Sequence, residues 1–174
     1  MKKILLLSDT HGHLDDAIRR HAAEADEVWH AGDWGGNMAV SDALVKIKPL
    51  RGVYGNIDCA ELRHVHPEIL RFELEGLRVL MMHIGGYPGH FPQKVKSLLR
   101  NERPGLFICG HSHILRVMRD PETGTLCMNP GAAGIHGFHK VRTMQRYRID
   151  AAKILKAAVI DHGLRASIDP QREM

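Results

Sequence analysis

The sequence predicts an α/β fold of two facing mixed β-sheets flanked by helices, and three features point to it. Short apolar runs suited to strands buried on both faces recur at residues 2–7, 27–30, 49–54 and 106–109. Segments of helical composition alternate with the first three of them. The last third turns instead to strand–turn–strand pairs, so strands of both directions must share the sheets.

The elements follow in order. Two lysines and an unbroken run from Ile4 to Leu7 make the first strand, which ends in the polar turn Ser8-Asp9-Thr10-His11-Gly12-His13. Residues 14–25 read as a helix. A second strand at 27–30 ends at Ala31-Gly32-Asp33, a helix follows at 38–47, and a third strand at 49–54 ends at Gly55-Asn56. Runs at 71–74 and 78–82 flank Glu75-Gly76, a hairpin signal. Residues 92–100 read as a helix, and the strand at 106–109 ends at Gly110-His111-Ser112-His113. Two further hairpins are expected, 114–118 with 125–128 and 142–149 with 153–160.

The 174 residues suit one domain that buries its core without staples. Hydrophobic residues at 44% and charged residues at 25% exclude wholesale disorder. The longest apolar runs fall far short of the roughly 18 residues of a spanning helix. The apolar stretch behind the first lysines stops at Ser8, below the about 7–15 residues of a secretory h-region. No membrane partner and no secretion are therefore expected. Three cysteines, Cys59, Cys109 and Cys127, without C-x-x-C spacing argue against disulfides or a thiolate zinc site and for a reducing cytoplasm. A net charge of 24 − 20 = +4 permits an anionic partner without demanding nucleic acid. Aromatic and basic residues do not interleave as in a single-strand stacking platform, so nucleic acid is not indicated. Nothing in the pattern sets an oligomeric state. The unusual count is thirteen histidines.

Ligands of α/β sheets bind where loops converge beyond the carboxyl ends of strands. Five such ends carry metal-seeking groups: Asp9 with His11, Asp33, Asn56, His83, and His111 with His113. In extended backbone the i, i+2 pairs would point both side chains to one side, able to grip one ion or two adjacent ions. Four imidazoles, two carboxylates and an amide are too many for one tetrahedral zinc. They suit two ions sharing a carboxylate, the clamp used for in-line phosphoryl displacement. Ligand type does not choose among manganese, iron, zinc, cobalt and nickel; two divalent ions are expected, manganese first. The eight histidines 13, 21, 64, 66, 90, 136, 139 and 162 lack this placement and read as structural or exposed. No G-x-x-x-x-G-K-[ST], H-E-x-x-H or G-x-S-x-G motif offers a rival chemistry. Trp34 reads as a pocket wall or as ordinary packing. Arg142, Arg146 and Arg148 share one strand face, either solvated or able to steer a phosphate-bearing substrate.

Together, Ser8-Asp9-Thr10-His11, Gly32-Asp33, Gly55-Asn56-Ile57-Asp58, His83, Gly110-His111-Ser112-His113 and Asn129-Pro130-Gly131 resemble the ordered motifs of the calcineurin-like metallophosphoesterase superfamily. The length and the Asn-Pro-Gly block are similar to its small single-domain phosphodiesterase branch, which also includes the retromer subunit Vps29. The resemblance spans about residues 3–160 and implies the four-layer metallophosphoesterase fold; the domain is expected at 1–162, with the polar composition from Gly163 onward reading as a tail at 163–174. It implies that Asp9, His11 and His113 bind a first metal, that Asp33 bridges, and that Asn56, His83 and His111 bind a second. A metal-held water or hydroxide would then attack a phosphodiester in line.

Ile57 stands where many members of that superfamily have a histidine thought to protonate the leaving group or stabilise the transition state. Asp58 beside it is read, with Asn56, as a catalytic-loop residue that orders its surroundings or forms an Asx turn. Losing a general acid costs roughly 10²–10⁴ in rate, which disfavours poor leaving groups. Ile84-Gly85 likewise leaves the second histidine of a frequent His-Gly-His block unfilled. Two alternatives to a phosphodiesterase stand beside it, a phosphomonoesterase of the same fold and a non-catalytic Vps29-like protein-binding scaffold. Residues 34–37 and 86–90 are expected to set specificity.

Overall fold

The computed structural model describes residues 1–165. In chain order it runs β1 (Lys2–Leu7), α1 (Asp16–Glu24), β2 (Glu27–His30), α2 (Ala39–Val45), β3 (Leu50–Gly52), α3 (Ala60–Val65), β4 (Ile69–Leu74), β5 (Leu77–Met82), α4 (Gln93–Glu102), β6 (Leu106–Ile108), β7 (Leu115–Arg119), β8 (Leu126–Pro130), β9 (Val141–Asp150) and β10 (Lys153–Leu164). The first sheet has the order β10-β9-β1-β2-β3 and the second β4-β5-β6-β8-β7. β1, β2 and β3 are parallel, as are β5, β6 and β8, while β9, β10, β4 and β7 run antiparallel to their neighbours. The expected two mixed sheets are thus present.

Strand alternation builds the layers. Along β1, Ile4 and Leu6 enter the core between the sheets with Trp29, Val79, Met81, Ile108 and Tyr147. Leu5 and Leu7 point the other way, onto Ile18 and Ala22 of α1, Leu44 of α2 and Leu62 of α3. On the far side Leu80, Met82 and Phe107 pack on Val95 and Leu99 of α4. The order is helices, sheet, sheet, helix, so β1, β5 and β6 are apolar on both faces and carry no alternation in sequence. Cys109 and Cys127 are buried in the third layer, as expected of small hydrophobes. No helix among the described residues is long and apolar enough to cross a membrane.

Differences from expectation have local causes. The helix α3 is absent from the sequence reading because six residues give little periodicity; Leu62 anchors it in the outer core. The third strand stops at Gly52, before the expected residue 54, because the Tyr54 amide leaves the sheet to donate to the Pro67 carbonyl. β10 runs to Leu164, two residues into the segment read as a tail; residues 166–174 of that tail lie outside the described residues. Trp34 does not wall a pocket. It is fully buried and sandwiched between the His30 and His66 rings at centroid distances of 3.7 and 4.3 Å, its indole N–H donating to Val53. The three arginines do not act together either. Arg142 is buried, and its guanidinium donates to the Ala133 carbonyl and to Asp15. Arg146 and Arg148 line a cavity of about 730 Å³ with Lys3 and His21, and no member of the Asp9–His113 donor set borders it.

Asp15 ties the two ends of the chain together. One oxygen caps α1 by accepting from the Ile18 amide at 2.9 Å, and the other takes Arg142 of β9 at 2.8 Å. Burial pushes its carboxyl up, but the Ile18 amide, Arg142 and His13 outweigh that and hold it well below the usual carboxylate range. A depressed native value means stability that is present above the unfolded-state value and lost as pH falls. Asp15→Ala is therefore expected to cost about 1–2 kcal/mol at pH 7. The gap to the native protein should narrow steadily below about pH 4, the ordinary aspartate value. Denaturant titrations at pH 7 and pH 3 measure both.

Candidate metal centre

The parallel strands of both sheets end on the same side, and the donors stand on the turns that leave them. Asp9 and His11 follow β1, Asp33 follows β2, Asn56 follows β3, His83 follows β5, and His111 and His113 follow β6. Six of these seven assemble into two groups whose ligand atoms lie within 4.8 Å of one another: Asp9, His11 and His113, and Asp33, His83 and His111. Asp33 faces both groups. Its Oδ2 lies 3.7 Å from His11 Nε2 and its Oδ1 3.3 Å from His83 Nε2. Asp9 Oδ1 is 3.2 Å from His113 Nε2 and 3.9 Å from His83 Nε2.

The His111/His113 pair divides between the groups, and the reason differs from the expected one. The backbone of both i, i+2 pairs is left-handed rather than extended. Asp9, His11, Asp33, His111 and His113 have φ between 47° and 67°, five of the ten non-glycine residues with positive φ among those described. Such backbone costs on the order of 1–3 kcal/mol per residue and persists only where surroundings over-determine it. Two glycines allow the crowding. A Cβ on Gly55 would collide with Asp33 Oδ1, and one on Gly110 with Ser8 Oγ.

The loops are held from behind. Asp58 is buried, its Oδ2 accepting from the Asp33 and Gly55 amides and its Oδ1 from the Gly35 amide. Of the roles open to it, the geometry gives Asp58 the ordering of the loop that carries Asp33. Burial raises its carboxyl, partly offset by the Gly55 and Gly35 amides. Asn129 of the Asn-Pro-Gly block donates to Gly110 O at 2.7 Å and Ser112 Oγ at 3.2 Å, fixing the turn before His111 and His113. Asn56 is exposed, and its carbonyl takes Arg63; its side-chain amide makes no hydrogen bond with the six donors. The neighbouring Ile57 amide donates to Asp33 Oδ1 at 3.2 Å.

The proton arrangement suits metal binding. His83 Nδ1 meets the Ala31 carbonyl at 2.7 Å, so that nitrogen carries the proton and leaves Nε2 as a lone pair toward the two carboxylates. His113 Nδ1 lies 3.1 Å from His139 Nδ1, and His139 Nε2 lies 3.0 Å from the Gly134 carbonyl. The carbonyl must receive a proton, so His139 Nδ1 accepts, His113 Nδ1–H donates, and His113 Nε2 is left free beside Asp9. Burial lowers His139, against the pull of the Gly134 carbonyl, which keeps it a neutral acceptor. Burial lowers His11 despite Asp33 and Asp9. At Asp33 burial pushes upward, but His83, the Ile57 amide and His11 win and keep it ionised. At His83 burial pushes downward, but Asp33 and Asp9 prevail.

These residues fit divalent ions. Asp9 Oδ1, His11 Nε2 and His83 Nε2 are buried and make no hydrogen bond. Orphaned polar atoms at such depth are costly unless a cation meets them. His139 and His136, whose ring lies 5.2 Å from that of His11, went unrecognised in sequence. Their only signal was the surplus of histidine after Asn-Pro-Gly.

The family model of the calcineurin-like phosphoesterase superfamily domain matches residues 1–152. A probable metallophosphoesterase of Mycoplasma pneumoniae is 34% identical over 142 residues, covering 78% of this chain and 81% of its own. Wild-type Vps29 of Entamoeba histolytica in complex with Zn²⁺ superposes with a TM-score of 0.70 at 16% identity, covering 91% and 98% of the two chains. A structure described as a novel archaeal phosphodiesterase gives 0.63 at 21% identity, covering 91% and 99%. The last two likenesses show the fold alone.

His139→Leu is expected to weaken ion binding at the Asp9–His11–His113 group by about 10–100-fold. His139→Gln, whose carbonyl can still accept, should recover part of the loss. Metal titrations followed by calorimetry, and the rise in melting temperature on loading, read both variants without recourse to activity.

Proposed function

The chain belongs to the calcineurin-like phosphoesterase superfamily, and from that premise we propose that it is a dinuclear metal-dependent phosphodiesterase hydrolysing a small or exposed phosphodiester. The observation that carries the reading is Asp33, whose two oxygens divide between two adjacent donor groups. Asp9, His11 and His113 would hold one ion, and His83 and His111 the other, with Asp33 between them; Asn56 is exposed and would join the second group only by turning toward it. Bound divalent ions supply neutralising charge to the phosphoryl oxygens and acidify water, the chemistry that in-line displacement requires.

The chain's residues supply geometry. The Ala31 carbonyl and His139 hold two imidazoles in the tautomer that presents Nε2. Asp58 and Asn129 lock the loops so that the donors need not reorganise during reaction. Ile57 and Ile84 offer no proton, so leaving groups that depart without protonation suit the site. Nitrogen and oxygen donors without thiolate do not choose among the divalent metals; we take manganese first, with nickel, cobalt, iron and zinc as alternatives. Three free cysteines, two of them buried, accord with a reducing cytoplasm.

The likeness to Vps29 favours one other reading, a protein-binding scaffold. Metal donors alone do not separate the two readings, since the Entamoeba Vps29 is described with Zn²⁺; strained backbone held at five of six donors is what we weigh for catalysis, which places the scaffold second. A phosphomonoesterase would want a positive clamp for a dianionic group, and the segments that carry the donors hold no lysine or arginine.

Metal-stripped protein resupplied with Mn²⁺, Ni²⁺, Co²⁺, Zn²⁺ or Mg²⁺ in turn should hydrolyse an activated aryl phosphodiester faster than the matching monoester. Asp33→Asn and His111→Ala should abolish that turnover while circular dichroism shows the fold intact. Folded protein that is silent with every ion would transfer the weight to the scaffold.

A further inference from the structure

We infer that the pocket is built for a phosphodiester with uncharged, apolar ester arms, an alkyl or aryl diester rather than a nucleotide or nucleic acid; this rests on the phosphodiesterase reading above. The first observation is a lack of positive side chains. The stretches that carry or back the donors are residues 8–14, 32–38, 55–59, 83–92, 109–115 and 129–139, and they contain no lysine or arginine, in a chain with 24 of them. Three of the cations at their margins are engaged, and Lys140 beside His139 and Arg165 are the two left at the edge of the 129–139 stretch. Arg63 donates to the Asp58 and Asn56 carbonyls and lies over the Tyr54 ring. Arg116 lies 3.7 Å over the Tyr87 ring, and Arg142 is bound to Ala133 and Asp15. One phosphoryl anion can be met by the ions the donors hold, but a second charged group would find no lysine or arginine on the donor loops themselves, only Lys140 and Arg165 at the edge of one stretch. Nucleic-acid binding draws its affinity from lysine and arginine on successive phosphates, and these loops provide none.

The second observation is what replaces them. Ile57, Ile84 and Ile114 each follow a donor by one residue and are 43%, 46% and 53% exposed. Ile135 and Phe138 are neighbours of His136 and His139, which pack on His11 and His113, and Phe138 is fully exposed. Large apolar side chains left in water on four separate loops around the donor cluster mark a binding surface. Ile57, Ile84 and Ile114 share loops with the donors, and Ile135 and Phe138 sit on the loop whose His136 and His139 pack on His11 and His113, so an ester arm of a phosphoryl group held by the donors is what reaches them.

The test holds the leaving group constant. The Mn²⁺-loaded protein is given p-nitrophenyl diesters whose second arm is hexyl, 2-hydroxyethyl or 2-carboxyethyl. The hexyl ester should have the highest kcat/KM, exceeding the hydroxyethyl ester by about tenfold or more, with the carboxyethyl ester lowest. Phe138→Ser combined with Ile135→Ser should lower the hexyl-to-hydroxyethyl ratio several-fold. Calorimetric binding of hexyl methylphosphonate, tighter than that of its 2-hydroxyethyl analogue, gives a readout without turnover. Hydrolysis of all three esters without preference, or a preference for the charged arm, overturns this inference and leaves the phosphodiesterase reading standing. No hydrolysis of any ester overturns that reading instead. A dimer that Phe138→Ser converts to monomer, with no arm preference, would assign the apolar loops to a second copy and also overturn the inference.

Discussion

The structure depends on one electrostatic constraint: two buried carboxylates and four imidazoles converge with their lone pairs pointing inward and with too few internal partners. Asp9 Oδ1, His11 Nε2 and His83 Nε2 are orphaned at a depth where an unmet polar atom is expensive. Holding them there requires left-handed backbone at five donors, glycine where Asp33 and Ser8 press close, and a buried Asp58 to gather three amides behind the Asp33 loop. None of these features stabilises the fold for its own sake. Each becomes intelligible once cations complete the cluster, since ion binding to the native state alone adds stability by mass action.

The histidine surplus resolves into distinct physical tasks. His11, His83 and His113 present Nε2 toward the cluster, and His111 completes the second donor group. His139 stands behind one of them and fixes its tautomer through a relay that ends on the Gly134 carbonyl. His30 and His66 serve packing: they sandwich Trp34, and burial drives both to the neutral state, His66 to about 4. Neutral imidazole tolerates such stacking because its ring nitrogens find Thr10, Gly32 and Ser41.

Fold and chemistry separate cleanly here. Proteins described as Vps29 and as a phosphodiesterase share the same two-sheet architecture with this chain, so the architecture alone selects neither function. What bears on chemistry in this chain is local: six assembled donors, isoleucine at 57 and 84, and donor loops without lysine or arginine. Those features concern the substrate's leaving group and arms rather than the frame that holds the ions.

Much of this was legible in the amino-acid order. Apolar runs without alternation identify strands covered on both faces, and polar groups after each run identify where ligands bind, because both signals depend only on near neighbours along the chain. The donors on five strand ends could be named for the same reason. Short α3 and the early end of β3 could not, since Leu62 and the Tyr54–Pro67 bond act across the chain. Only the tertiary structure decided that His111 and His113 part company, that Asp33 faces both groups, that Trp34 is core, and that His139 backs His113. Each of these is a distance between residues on different loops, and no local pattern encodes it: it arises when two sheets stack with their parallel strands ending on the same side.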